Sequence, residues 1–337
     1  MFFLASILFV ISFISAFVAV PVIIKRCTKR RIGGNDVNKS GRPFVPGLGG
    51  LAVVFALLVS FIFLYLVSSS PDLQSVFSFY PEGDLPSVAL AAVLVVAISA
   101  SVGLVDDFVS IPHKIKLLLP ILVSVPIIIV KASGAATLSV PFFGTLSLIS
   151  PILYLLVLIP IGTMAVTNVT NTFAGFNGLE AGLSGLAVFF LLLIGLVQGS
   201  VPVVLLSVPL LGALIAFLFY NWFPARIFID DVGTLVLGAS LSAIVIFGGL
   251  EFAGAILLLP HIIDFVFFKV PNKLPSTKWW PEVKGEKLHF SGKPVHFGQW
   301  AVKVLGGKKG ITERNLVLSF MLFEIALGAV VLLLYLI

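Results

Sequence analysis

With 337 residues the chain is long enough for two soluble domains, but 59% of it is apolar and only 11% is charged, against about 25% charged in soluble domains. A mean hydropathy of +1.18 excludes an ordinary soluble enzyme. The net charge of +6 is spread over scattered lysines and arginines, and no segment resembles a nucleic-acid-binding module.

A hydrocarbon core about 30 Å thick needs about 20 apolar residues per helix. Apolar runs predict ten spans, at about 2–24, 48–68, 87–105, 117–131, 150–167, 179–198, 201–220, 232–250, 252–268 and 315–336. The ninth is short and carries Pro260, His261 and Asp264. The expected fold is an all-α polytopic membrane protein, a single integral domain over residues 1–337. The first span lacks a basic leading region, and its charges follow the apolar run, as in an anchor whose N-terminus stays outside.

Basic residues mark alternate connections. They are Lys25 to Arg42 after the first span, Lys114 and Lys116 before the fourth, Arg226 before the eighth, and the lysines and arginine of 269–314. Such residues stay in the cytoplasm, which places both termini outside and makes 269–314 a small cytoplasmic element between spans nine and ten. The opposite loops carry Asp72, Glu82, Asp84 and Glu251, with Lys131 as the basic exception. Within the cytoplasmic element, Val283–Phe290 reads as a hairpin around Gly285, with Trp279 and Trp280 at the membrane interface. Cys27 is the lone cysteine, so no intrachain disulfide forms. Helix-rich membrane chains often form homodimers, but no motif here demands one.

Three polar clusters fall at span ends on the basic side. Asp106 and Asp107 close the third span. Adjacent helical residues diverge by about 100°, so one carboxylate can face a site while the other orients a neighbour; alternatively, both merely end a helix in water. Lys116 opens the fourth span, where it either snorkels or anchors a phosphate; Lys114 and His113 are weaker rivals. Asn168 and Asn171 share one face of the end of span five. Membrane amides are often plain interhelical glue, yet oxygen donors at a membrane edge suit Mg²⁺, which shares them with substrate phosphates. Asn177-Gly178 reads as a tight turn open to a ligand, and Glu180 as a carboxylate favoured by the helix dipole. Asp230 and Asp231 lead into span eight, where one of them caps the helix or holds a metal. Phe228 offers an aromatic face for a base or simply packs on lipid. Asp264 and Glu324 lie within apolar spans, where hydrogen bonding inside the bundle is the expected reason for them. Acidic and amide groups beside a lysine describe a site for a metal ion and phosphates.

These residues resemble the polyprenyl-phosphate N-acetylhexosamine-1-phosphate transferases, and within them the archaeal and eukaryotic branch that acts on dolichyl phosphate. The likeness rests on Asp106-Asp107, on Asn168-x-x-Asn-x-x-Ala-Gly-x-Asn-Gly-Leu-Glu-Ala-Gly182 and on Arg226-Ile-Phe-Ile-Asp-Asp231. Branch-like segments are Asn35–Lys39, Lys116–Pro120, Tyr220–Pro224 and Glu313–Leu316, which cover nearly the whole chain in order. The resemblance implies transfer of a GlcNAc-1-phosphate group from its UDP donor to dolichyl or another polyprenyl phosphate, releasing UMP, as the first step of lipid-linked glycan assembly for N-glycosylation. It implies ten helices and a cytoplasmic Mg²⁺ site, with Mn²⁺ as an alternative, in the plasma membrane of a prokaryote or the endoplasmic reticulum of a eukaryote. By position, Asn171 and Asp231 would hold the metal and Lys116 would meet the lipid phosphate. Asn35, Asp36, Val37, Asn177, Gly178 and Leu179 would border the nucleotide sugar, Phe228 would stack on uracil, and residues 164–172, including Asn168, would line the lipid-phosphate groove. Asp106 and Asp107 match a carboxylate pair of unsettled role.

Two departures stand out. The branch carries a Pro-Arg-His-Arg run after the ninth span, where this chain has Lys273–Trp280 and offers Lys278, His289 or His296 instead. Asp230 stands where glycine is usual, and Gly47 where the family has glutamate. The rival readings are a bacterial-type transferase acting on undecaprenyl phosphate and, in a different class, a secondary transporter. A transporter would gather its polar residues near the midplane in two related halves, which this sequence lacks.

Overall fold

The structure, a computed structural model, describes residues 1–79, 83–109, 111–134, 139–140, 144–145, 150–272 and 281–337. Glu82, Lys278, Trp279 and Trp280 therefore lie outside the described residues, as does the side chain of His113. Among the described residues, nine helices are long and apolar enough to cross a membrane: Phe2–Arg30, Gly50–Ser69, Leu85–Val109, Lys114–Ala132, Pro151–Phe173, Leu179–Gln198, Val201–Asn221, Asp230–Gly248 and Glu313–Leu336. A bent pair, Glu251–Leu257 and Leu259–Lys269, broken by 66°, stands at the place of the expected ninth span and makes ten if it crosses as one broken span. Pro260 follows that break; proline removes a backbone donor and crowds the preceding turn, which accounts for the weak apolar run.

Spans three and five run past their apolar stretches, to Val109 and Phe173. Asp106, Asp107, Asn168 and Asn171 are thus helical residues and not terminal punctuation. Each finds a partner on another element, so polarity does not end these helices.

The eighth span is the hub. Its apolar window is 83% buried, against 22% for the first span, which lies at the periphery. The crossings at its start are backbone to backbone. A Cβ built on Gly50 would lie 2.2 Å from Gly233 Cα, and one on Gly103 would lie 2.5 Å from Val232 Cα. Small residues allow such close approach between membrane helices. Spans two and three therefore grip the first turn of span eight directly.

Two small sheets cover the polar end of the bundle. Strand β1 (Gly33–Asn35) pairs antiparallel with β2 (Phe44–Pro46), Gly34 opposite Val45. Strands β3 (Glu282–Lys284) and β4 (Lys287–His289) form the hairpin expected around Gly285, whose φ is +64°. A third strand, β5 (Ile311–Thr312), joins β4 and leads straight into the tenth span. Between them lies a surface helix, Phe297–Gly306.

Of the two acidic residues expected to hydrogen-bond inside the bundle, Asp264 does so. It accepts from the Phe297 backbone N–H at 2.7 Å. Glu324 departs from expectation: it is buried, and among the described residues neither carboxylate oxygen has a hydrogen-bond partner.

Gly50→Val should force the second and eighth spans apart and cost about 1–3 kcal/mol, as overpacking does. Thermal unfolding in detergent would read this loss. Gly185→Ala, where an added Cβ meets nothing within 4 Å, should leave the midpoint unchanged or raise it slightly.

Candidate active site

Span eight begins at Asp230, and the residue before it, Ile229, has no side chain able to cap. The first backbone N–H groups of a helix need acceptors. Asp107 on span three provides them: Oδ1 accepts from Asp231 N at 3.0 Å and Oδ2 from Val232 N at 2.9 Å. Its neighbour Asp106 points elsewhere. Asp106 Oδ1 accepts from Ile111 N at 2.8 Å, and Oδ2 lies 2.5 Å from Lys116 Nζ. One carboxylate fixes a helix and the other an ammonium group.

Lys116 Nζ also lies 2.9 Å from Asp231 Oδ2. On its other oxygen, Asp231 accepts from Asn171 Nδ2 at 2.5 Å, and Asn171 donates again to Thr234 Oγ1 at 2.8 Å. Spans three, four, five and eight thus meet through Asp106, Lys116, Asn171 and Asp231. Of the four, Asn171 and Asp231 line an open cleft, together with Asp107, whereas Lys116 and Asp106 contact Asp231 and each other without lining it.

The cleft encloses about 330 Å³ and is lined by Asn35, Asp36, Val37, Asp107, Asn171, Asn177, Phe228 and Asp231, together with Asn38, Glu180, Asn221, Asp230 and Thr234. Its opposite wall is tied by a half-buried ammonium group. Lys39 Nζ contacts Asp36 Oδ2 at 2.9 Å, Asn177 Oδ1 at 2.9 Å and the Glu313 carboxylate. Glu313 Oε1 accepts from Asn177 N at 2.7 Å, and Asn177 Oδ1 accepts from Ala225 N at 2.8 Å. Loop 33–46 is thereby bound to the starts of spans six and ten. Phe228 is fixed by its backbone, its N–H donating to Pro46 O at 2.8 Å and its carbonyl accepting from Gly49 N at 2.8 Å.

Some expected site residues sit away from the cleft. Asn168 is buried and donates to Leu117 O at 2.9 Å and Met164 O at 2.8 Å, tying span four to span five. Gly178 takes a left-handed turn at φ +76° and packs on Trp222, while Leu179 is wholly buried in a cluster with Phe173 and Phe176. Lys114 is exposed. Glu180, read as a dipole partner, lines the cleft and lies 3.2 Å from His261 Nε2. His289 and His296 do not line the cleft. His296 is buried 2.8 Å from Asp264 Oδ1 and stacked on Phe173. Burial holds its imidazole below the usual histidine pKa, against the opposing pull of Asp264. The sequence alone assigns no role to Lys39 or Glu313, although both lie in branch-like segments and their charges stand out in a mostly apolar chain.

The departures at positions 47 and 230 prove to be linked. A Cβ on Gly47 would lie 2.1 Å from Asp230 Oδ2. That oxygen accepts from Leu48 N at 2.7 Å, and Asp230 and Leu48 both adopt left-handed backbone, at φ +52° and +58°. A side chain at position 47 and the carboxylate at 230 claim the same space.

The donor set fits a hard divalent cation that shares its shell with substrate. Among the described residues no three Asp, Glu, His or Cys side chains converge as a closed cage. Mg²⁺ usually binds through one or two carboxylates plus waters and phosphates. Asp231 is 32% exposed, and both hydrogen bonds of Asn171 use Nδ2, leaving its carbonyl oxygen uncommitted.

The model of glycosyl transferase family 4 matches residues 88–249. A Saccharolobus solfataricus protein, provisionally named UDP-N-acetylglucosamine–dolichyl-phosphate N-acetylglucosaminephosphotransferase, is 30% identical over 286 residues, 84% of this chain and 83% of its own. The chain belongs to glycosyl transferase family 4. The family match runs from span three to span eight and so contains Asp106, Asp107, Lys116, Asn171 and Asp231, whereas loop 33–46 and the sheet at 281–312 lie beyond it. Two other similar proteins are the Dictyostelium discoideum UDP-N-acetylglucosamine–dolichyl-phosphate N-acetylglucosaminephosphotransferase, 26% identical over 74% of this chain and 67% of its own, and the Streptococcus mutans phospho-N-acetylmuramoyl-pentapeptide-transferase, 26% identical over 85% of each.

Asp107→Ala should cost about 1.5–3 kcal/mol in unfolding, the worth of hydrogen bonds to a charged group, and should also lower activity because Asp231 loses its register. Asp107→Asn, which keeps one acceptor, should fall between the two in a denaturant or thermal melt.

Proposed function

We propose that the protein transfers N-acetylglucosamine-1-phosphate from UDP-N-acetylglucosamine to dolichyl phosphate, giving lipid-linked pyrophosphoryl GlcNAc and UMP. The observation that carries this reading is the junction of Lys116 with Asp106, Asp231 and Asn171 at the end of the bundle. Both reactants are phosphate anions, and their encounter requires positive charge placed beforehand. Lys116, held by two carboxylates at 2.5 and 2.9 Å, presents one such charge to the acceptor phosphate. A phosphate monoester is largely ionised near neutral pH, its second pKa being about 6, so no strong general base is needed. An acceptor phosphate oxygen bonds to the β-phosphorus of the donor. The bond from that phosphorus to the bridging oxygen breaks, and UMP leaves with the oxygen. Asp106 positions Lys116 and Asp107 positions Asp231. Mg²⁺ or Mn²⁺ held by Asn171 and Asp231 would supply further charge to neutralise the two phosphates.

Donor recognition falls to the opposite wall. The half-buried Phe228 ring offers a stacking face for the base, and the tied loop with Asn35, Asp36 and Val37 borders the same space. The acceptor tail is served by a second, apolar groove of about 310 Å³. Tyr154, Ile159, Gly162, Val166 and Val169 on span five line it, with Val245 on span eight and Leu258 and Ile262 on the bent ninth span. From Tyr154 to Val169, span five rises about 22 Å at 1.5 Å per residue, and the groove stops just short of Asn171. A polyprenyl chain can remain in the bilayer while its phosphate meets Lys116. The basic connections on the cleft side support a reaction at the cytoplasmic face, in the plasma membrane of a prokaryote or the endoplasmic reticulum of a eukaryote.

Purified protein supplied with Mg²⁺, dolichyl phosphate and a panel of UDP sugars should form UMP and glycolipid with UDP-N-acetylglucosamine preferred. Asn171→Ala and Asp231→Ala should each abolish UMP release while the protein still folds, and Phe228→Ala should raise KM for the nucleotide sugar more than it lowers kcat. Near-normal turnover in either of the first two variants removes the metal assignment.

A further inference from the structure

The surface helix Phe297–Gly306 is amphipathic in an unusual sense for a soluble cap. It buries Gly298, Gln299, Ala301 and Val302 against the protein. Its outer side carries Trp300, Val304 and Leu305, which are 42%, 54% and 53% exposed. Trp300 and Val304 stand one turn apart, with exposed Lys303 beside them and Lys308 and Lys309 just past the helix end. No acidic residue occurs between Phe290 and Thr312. Isolated exposed apolar residues mean little. A tryptophan and aliphatic stripe flanked by lysines alone is the pattern of a helix lying in a lipid interface.

The level of the helix agrees. The Phe297 ring lies 5.8 Å from Phe268 near the end of span nine, 6.1 Å from Phe173 at the end of span five and 5.2 Å from Phe320 in span ten. The helix thus packs beside the end of span nine, where Phe267 and Val270 are also exposed. Its start is joined to the site. Phe297 N donates to Asp264, His296 stacks on Phe173, and Phe173 is two residues beyond Asn171.

We propose that Phe297–Gly306 is a membrane-surface element: Trp300, Val304 and Leu305 enter the headgroup region of the leaflet on the cleft side, and Lys303, Lys308 and Lys309 bind anionic headgroups. Lipid engagement then holds His296 and Phe297 against the end of span five and keeps Asn171 in register. The occupant is an anionic lipid surface, because the stripe is continuous with the membrane-facing ends of the spans and its charge is of one sign. Lysines near such a surface are drawn to it electrostatically.

The placement is tested without reference to catalysis. Val304→Cys, in a chain whose native cysteine is buried, is labelled with a nitroxide in nanodiscs of phosphatidylcholine with phosphatidylglycerol. Collisions with dissolved oxygen should exceed those with an aqueous nickel complex. A label as open to nickel as a free loop, or shielded from both reagents by protein, overturns the proposal. The functional arm rests on the transferase reading above. Adding phosphatidylglycerol to phosphatidylcholine nanodiscs should raise turnover roughly two-fold or more, and Lys308→Glu with Lys309→Glu should abolish that rise while matching the parent in phosphatidylcholine alone. An undiminished rise in the double variant overturns the coupling to lipid. Absence of any turnover in the parent counts against the transferase reading and leaves the label depth to judge the membrane placement.

Discussion

Two backbone N–H groups at the start of the eighth span take their acceptors from Asp107, a residue of the third. A helix end inside a bundle cannot leave such groups bare without losing free energy comparable to a hydrogen bond each. Residue 107 therefore determines where span eight begins and so where Asp231 stands. Close approach makes this possible, since Gly103 and Gly50 let the backbones of spans three and two meet the same turn. Once Asp231 is placed, Lys116 and Asn171 reach it from spans four and five, and Asp106 completes the environment of the ammonium group.

The other wall relies on a different balance. Lys39 neutralises part of a cluster that includes Asp36 and Glu313, and its Nζ lies 4.3 Å from the centre of the Phe223 ring. Burying a charge is costly unless it is paired and hydrogen-bonded, and this one has three polar partners. The loop that borders the donor space is held by chemistry and not by regular structure, since β1 and β2 have three residues each. One wall is made of helix ends and the other of a tethered loop.

Much of this was legible in the residues. Nine of the ten expected spans are long apolar helices and the other is a bent pair, and the segregation of lysine and arginine gathered the polar clusters at one face, where their side chains meet. The divergence of adjacent helical positions anticipated that Asp106 and Asp107 would serve different partners. What stayed hidden depended on tertiary neighbours. Asn168 and Asn171 are chemically alike and one turn apart, yet one ties carbonyls of spans four and five and the other opens to the cleft. Periodicity cannot tell which face of a polar turn meets a neighbouring helix. Glu324 was expected to have a hydrogen-bond partner and lacks one among the described residues, a fact that only packing reveals. Lys39 and Glu313 are 274 positions apart, and no local rule joins them.

The contest between positions 47 and 230 constrains the history open to this site. With Asp230 in place, any side chain at 47 enters a space already filled by carboxylate oxygen at 2.1 Å. With glycine at both positions the left-handed backbone at 230 would be relaxed, but Leu48 N would lose its acceptor. The two positions are therefore coupled: a side chain at 47 displaces the Asp230 carboxylate from Leu48 N, so the effect of a change at either depends on the residue at the other.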